Sequence, residues 1–94
     1  MAIYKVRKRN GAIVTFDRQK IESALKQAIE ITESANAPAV SNLTDEVIEL
    51  VQSQTGDNIP TVEGIQDAVE VVLVRNELPE IAKAYILYRQ KRSE

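Results

Sequence analysis

Val6-Arg7-Lys8-Arg9-Asn10-Gly11 leads through Ala12-Ile13-Val14-Thr15 into Phe16-Asp17-Arg18-Gln19-Lys20-Ile21. This stretch decides the reading of the chain, because it describes a basic hairpin running straight into a capped helix. Segments 2–9 and 12–16 are rich in Ile, Val, Tyr, Thr and Phe and are separated by Asn10-Gly11. Asn-Gly between such runs is the strongest short-range hairpin signal, since both residues tolerate the positive φ of a type I′ turn. Along the first strand Ile3, Lys5, Arg7 and Arg9 alternate with Tyr4, Val6 and Lys8, so basic groups fall on both faces. On the strand alone, a solvated edge guarded from aggregation by its charges is the stronger reading, and an anion site the weaker.

Working outward, Asp17 can cap the free amides of the helix that follows it. Phe16 before the cap and Ile21 after it have the spacing of a hydrophobic staple. Ile21, Ala24, Leu25, Ala28 and Ile31 then trace one apolar face, which predicts a helix to about Glu33. Residues 34–41 read as a loop. A second helix is expected over Leu43–Gln54, with Asp45 and Glu46 suiting the positive end of its dipole. Ile59-Pro60 is too short for more than a minor third strand, and Thr61 caps a third helix whose inner face is Ile65, Ala68, Val69, Val72 and Leu73. Pro79 opens a fourth helix, where its missing amide hydrogen costs nothing. That helix carries Ala82, Tyr85, Ile86 and Arg89 on one stripe and ends in the basic run Arg89-Gln90-Lys91-Arg92. The expected architecture is α+β and mostly helical: a four-helix bundle capped by a small three-stranded sheet, built from the hairpin and the short third strand. Short connections favour antiparallel neighbours.

Residues 1–94 read as a single small domain with a modest core. Twelve Lys and Arg against fourteen Asp and Glu give a net charge of −2, so any anion site must be local rather than a property of the whole surface. The chain has no Cys and no His, which removes thiolate nucleophiles, zinc ribbons, iron–sulfur ligation and the commonest general base near neutral pH. Catalysis by this domain alone is not expected. No stretch approaches the roughly 18 apolar residues of a membrane span, and no signal peptide is evident, so the expectation is a soluble, cytoplasmic protein with no membrane partner.

Lys5, Arg7, Lys8, Arg9, Lys20 and Lys91 are the candidate anion ligands. Lys20 is the most pointed, because a cation in the first turn of a helix is mildly unfavourable against the dipole, whereas the amides there can grip phosphate. A merely solvated lysine is an equal reading from position alone. The cations at the end of the fourth helix have a bland account as well, since they stabilise a helix C-terminus. Gly64 inside the third helix points either to a close approach or to relaxed packing. The chain has neither a Walker A loop nor a G-x-G-x-x-G turn, and its three Tyr and one Phe do not interleave with basic groups as a stacking platform would.

Val6-Arg7-Lys8-Arg9-Asn10-Gly11, Phe16-Asp17-x-x-Lys20-Ile21, Ile65-Gln66-Asp67-x-Val69-Glu70 and Ala82-Lys83-Ala84-Tyr85-Ile86-Leu87-Tyr88-Arg89 together resemble the ATP-cone family. The likeness runs from Tyr4 to Arg92 with its motifs in order. ATP-cones are regulatory domains found chiefly in the large subunit of ribonucleotide reductases and in the repressor of their genes. The resemblance implies ATP or dATP as allosteric effector, accompanied by Mg, with no redox cofactor in this domain. It implies a site made by Val6, Arg7, Lys8 and Arg9 along adenine and phosphates, Asp17 accepting from the adenine amino group, Lys20 on phosphate, and Thr61 and Lys91 reaching the phosphates from the far helices. Val14 stands where some members place a carboxylate facing the base, and Asn10 stands where Asp is usual.

The function so implied is allosteric control of a ribonucleotide reductase, with the bound nucleotide changing how the cone docks on the catalytic domain of the same polypeptide and on neighbouring reductase subunits. The parent would be a ribonucleoside di- or triphosphate reductase, and the cone itself not an enzyme. The alternative is a protein-interaction or nucleic-acid-binding module, such as the cone of a repressor. The missing four-cysteine ribbon speaks against an intact repressor, and the net negative charge against nucleic-acid binding.

Overall fold

β1 (Lys5–Arg7) and β2 (Ile13–Thr15) pair antiparallel, with Lys5 opposite Thr15, Val6 opposite Val14 and Arg7 opposite Ile13. In this computed structural model residues 3–33 and 37–91 are described. Residue 2 of the expected first strand, residues 34–36 of the expected loop and Arg92 lie outside them.

The turn differs from the expected two-residue form. The Lys8 amide donates to Ala12 O (2.8 Å) and the Gly11 amide to Lys8 O (2.9 Å), so Arg9, Asn10 and Gly11 make a three-residue loop. Only Gly11 takes a positive φ, at 90°. Asn10 instead works through its side chain, Oδ1 accepting from the Ala12 amide at 3.0 Å. A three-residue loop closing on a left-handed glycine is the next most common hairpin solution.

Four helices follow: α1 (Arg18–Thr32), α2 (Val40–Thr55), α3 (Val62–Arg75) and α4 (Pro79–Lys91). Asp17 caps α1 as expected, its carboxylate accepting from the Gln19 amide at 3.0 Å. α2 starts earlier than the spacing suggested, from Ala39, which has no side-chain cap. Asp45 and Glu46 therefore fall outside the first turn and serve other ends. Asp45 takes Arg18 Nη2 at 2.9 Å, and Glu46 accepts from Asn76 Nδ2 at 3.2 Å. α3 closes with Glu77 in the left-handed region at φ 57°, the Leu78 amide reaching Leu73 O at 2.9 Å and the Glu77 amide reaching Val74 O at 3.0 Å.

The helices pack in a ring: α1 on α2, α2 on α3, α3 on α4, and α4 back on α1. Leu25, Leu43, Leu73, Val47 and Val72 fill its centre at 0% exposure, and each such side chain contributes roughly 1.5–3 kcal/mol by leaving water. α4 is rotated from the expected stripe, since Ile81, Ala82, Ala84 and Tyr85 are buried while Ile86 is exposed. Val6 is the hairpin's share of this core.

The expected third strand is absent among the described residues, and the sheet has two strands. What remains of it is one parallel bridge between Arg7 and Thr61, with the Arg7 amide donating to Pro60 O at 2.9 Å. The reason is local. Pro60 has no amide hydrogen to return, and Thr61 is already committed to capping α3.

This bridge places the N-terminus of α3 beside β1. β2 runs through Phe16 and Asp17 into the N-terminus of α1. Arg89 near the end of α4 bonds Asp67 in the first half of α3, so α4 runs antiparallel to α3 and ends at the same level. One end of the bundle thus gathers the hairpin, two helix N-termini and one C-terminus.

Candidate functional site at the hairpin end

The helix termini at this end are set by their caps. Thr61 Oγ1 accepts from the Gly64 amide at 2.9 Å. A Cβ on Gly64 would stand 3.0 Å from that same oxygen, a tight contact that the Thr61 side chain would have to ease. Of its two sequence explanations, close approach is the one the fold uses. At α1 the Lys20 amide donates to Asp17 O at 3.1 Å while its side chain stays exposed. Both N-termini have the polarity and amide supply that favour an anion.

The expected ligands occupy distinct environments. Val6 is buried at 7% exposure, so its side chain packs into the bundle and offers little surface to a ligand. Val14 lies beside it in register and is partly exposed. Arg7 is tied by its backbone to Pro60, and its Nη1 donates to Gly11 O at 3.4 Å, which aims its head along the turn. Lys8 is half-buried; Arg9, Asp17, Lys20, Thr61 and Lys91 are exposed. The fold brings Arg7 and Thr61 together directly, and places Lys20 and Lys91 at the same end from α1 and α4.

Two charged partners were not visible in the sequence. Glu63, in the first turn of α3, takes Arg9 Nε on its Oε2 at 2.8 Å across 54 residues of chain. The hydrogen bond from Arg9 and one from its own backbone amide hold the Glu63 carboxyl below its ordinary pKa. On the other side Arg89, which reads in sequence as a helix-end charge, donates through Nη1 to Glu70 and to Asp67, the latter at 3.2 Å. Burial works against the charge on Arg89, and the bonds to Glu70 and Asp67 more than offset it, so its pKa is raised. Tyr85 stacks on Tyr88 with ring centres 6.4 Å apart, and burial pushes its phenol well up. Spacing alone could hint only that Glu63 sits where helix starts favour carboxylates.

A cleft of about 400 Å³ lies between the start of β1 and the end of α2, with Tyr4, Lys5, Gln52, Asn58, Ile59 and Pro60 in its lining. None of Lys8, Arg9, Lys20, Thr61 or Lys91 reaches it. No group of three or more acidic side chains among the described residues is placed to hold a metal ion. Among those residues no helix is long and apolar enough to cross a membrane.

Fold and site together define a small helical domain that gathers cations and helix N-termini under a basic hairpin. The family model of the ATP cone domain matches residues 4–94, and the chain belongs to that family. It is 38% identical over 95 residues to the ribonucleoside-diphosphate reductase subunit alpha of Chlamydia trachomatis, covering 90% of this chain and 9% of that one. It is 38% identical over 92 residues to the vitamin B12-dependent ribonucleoside-diphosphate reductase of Mycobacterium tuberculosis, covering 96% of this chain and 12% of that one. The anaerobic ribonucleoside-triphosphate reductase of Escherichia coli is 33% identical over 87 residues, 93% of this chain and 12% of that one. The chain thus spans about a tenth of the length of the curated relatives it matches.

Proposed function

We propose that this domain binds ATP or dATP at the hairpin end and regulates a ribonucleotide reductase whose catalytic domain belongs to the same polypeptide. The observation that carries the reading is the convergence, at one end of the bundle, of cations from three separate elements: the hairpin, the start of α1 and the end of α4. Lys8, Arg9, Lys20 and Lys91 would meet the phosphates there. Thr61 can donate its hydroxyl hydrogen to phosphate while its oxygen keeps the Gly64 cap. Asp17, whose Oδ1 caps α1, retains acceptor capacity for an exocyclic amine such as that of adenine. Mg would enter on the phosphates, with water completing its shell. The nucleotide would act by shifting the cone between dockings on neighbouring subunits, which requires different contacts in the two states.

Calorimetric titration of the chain with ATP, dATP and GTP tests this. ATP and dATP are expected to saturate one class of site below millimolar concentration, and Lys20→Ala to weaken them about 10-fold, the scale of one charge-assisted hydrogen bond. Absence of ATP binding at millimolar concentration, or a Lys20→Ala variant that binds as well as the parent, overturns the reading.

A further inference from the structure

The parallel bridge between Arg7 and Thr61 fixes more than one residue pair. Two residues further along each segment stand Arg9 and Glu63, and they meet: Arg9 Nε lies 2.8 Å from Glu63 Oε2. Glu63 therefore puts a carboxylate on a cation of the hairpin, and does so from the first turn of α3, where the dipole and the amides stabilise any anion. A triphosphate seeking Arg9 would want the same guanidinium and the same helix end.

The pair is of a kind that can be exchanged. Its side chains are 57% and 38% exposed, and exposed pairs are held weakly. A phosphate oxygen carries more charge and offers the Arg fork more than one acceptor.

The geometry points to Glu63 as a resident competitor for the nucleotide: its carboxylate occupies Arg9, and the phosphates bind by exchanging with it. This rests on the nucleotide reading above and adds the residue that sets its affinity. Two consequences follow. Glu63 lowers the affinity of the site for triphosphate, and filling the site releases a tie between the hairpin and α3. Binding would thereby be coupled to the position of the hairpin.

The test is titration of the chain with ATP in four forms: parent, Glu63→Gln, Arg9→Ala, and both substitutions together. Glu63→Gln keeps the shape and removes the charge. It is expected to bind ATP about 2- to 5-fold tighter, the range of an exposed pair that no longer has to be broken. In the Arg9→Ala background the same substitution is expected to gain nothing, since the exchange has lost its object. Equal or weaker binding by Glu63→Gln overturns the exchange and makes Glu63 a spectator or a helper. A gain that persists without Arg9 overturns it too, because general repulsion would then suffice. If the parent chain binds no ATP at all, it is the nucleotide reading that fails, an outcome distinct from both. Thermal unfolding of each variant accompanies the titration, so that a misfolded protein is not scored as a weak binder.

Discussion

Two arginines bind carboxylates of α3, one at each side, and they differ in burial. At the α3/α4 seam Arg89 holds Glu70 and Asp67 with a side chain only 20% exposed. At the hairpin end Arg9 holds Glu63 with a side chain 57% exposed. The chemistry is the same guanidinium and carboxylate, but burial changes what the pair is for. A partly desolvated pair cannot lose one member without leaving a charge stranded, so it locks two helices together. An exposed pair dissolves at little cost, so it can be traded for a ligand. The difference teaches that burial, which charge counts do not reveal, separates a clamp at the seam from an exposed pair at the hairpin end that the proposed exchange would use.

The comparison can be strained in several ways. The largest loss is expected from Leu73→Ala in the core of α3, about 2–5 kcal/mol by removal of buried carbon, visible as a drop in the denaturant midpoint. Next comes Arg89→Ala, which should cost about 1–3 kcal/mol and lower Tm by several degrees, because Glu70 is left half-buried without its partner. A cost near zero would erase the distinction between seam and hairpin end. Arg9→Ala is expected to do the reverse, shifting stability by less than about 0.5 kcal/mol while weakening ATP roughly 10-fold in a titration.

A gain is predicted at Glu77, which holds a left-handed φ of 57° just past α3. Glu77→Gly should raise stability by about 0.5–1 kcal/mol, read from denaturant unfolding, since glycine adopts that conformation without strain. The smallest effect concerns pH. The folded pKa of Glu63 lies below its ordinary value of 4.5, so its stabilising contribution is complete above that value and is lost as pH falls through the lowered one. The stability gap between the parent and Glu63→Gln should therefore be present at neutral pH and close in acid. A gap that widened in acid would contradict the pairing.

Much of the fold was legible because its signals are local. The Asn10-Gly11 hairpin, the Asp17 and Thr61 caps, the inner face of α3 and that of α1 as far as Ala28 follow from patterns within a few residues, whereas Ile31, expected on the α1 face, is exposed near the helix end. Where the reading slipped, a nonlocal or silent cause was at work. α2 begins at an alanine with no side-chain cap, so nothing in the spelling marks its start. α4 is rotated because Ala84 and Ile81, rather than Ile86, meet the other helices. Of the candidate site, the cationic strand, Lys20 and Lys91 could be singled out from sequence, and the family likeness added a ligand role for Thr61. Glu63 could not be, because its partner is 54 residues away.

By itself the sequence determined the elements and the chemistry available to them: a basic hairpin, amphipathic helices with their caps, and no Cys or His for catalysis. Periods of two and of about 3.6 residues act through neighbours along the chain, so they survive in the bare spelling. Tertiary structure alone decided that the third strand shrinks to one bridge, that this bridge sets Arg9 on Glu63, and that Arg89 is consumed as a clamp. Those outcomes depend on how separate elements register against each other and how much water they exclude, and neither quantity exists until the bundle has closed.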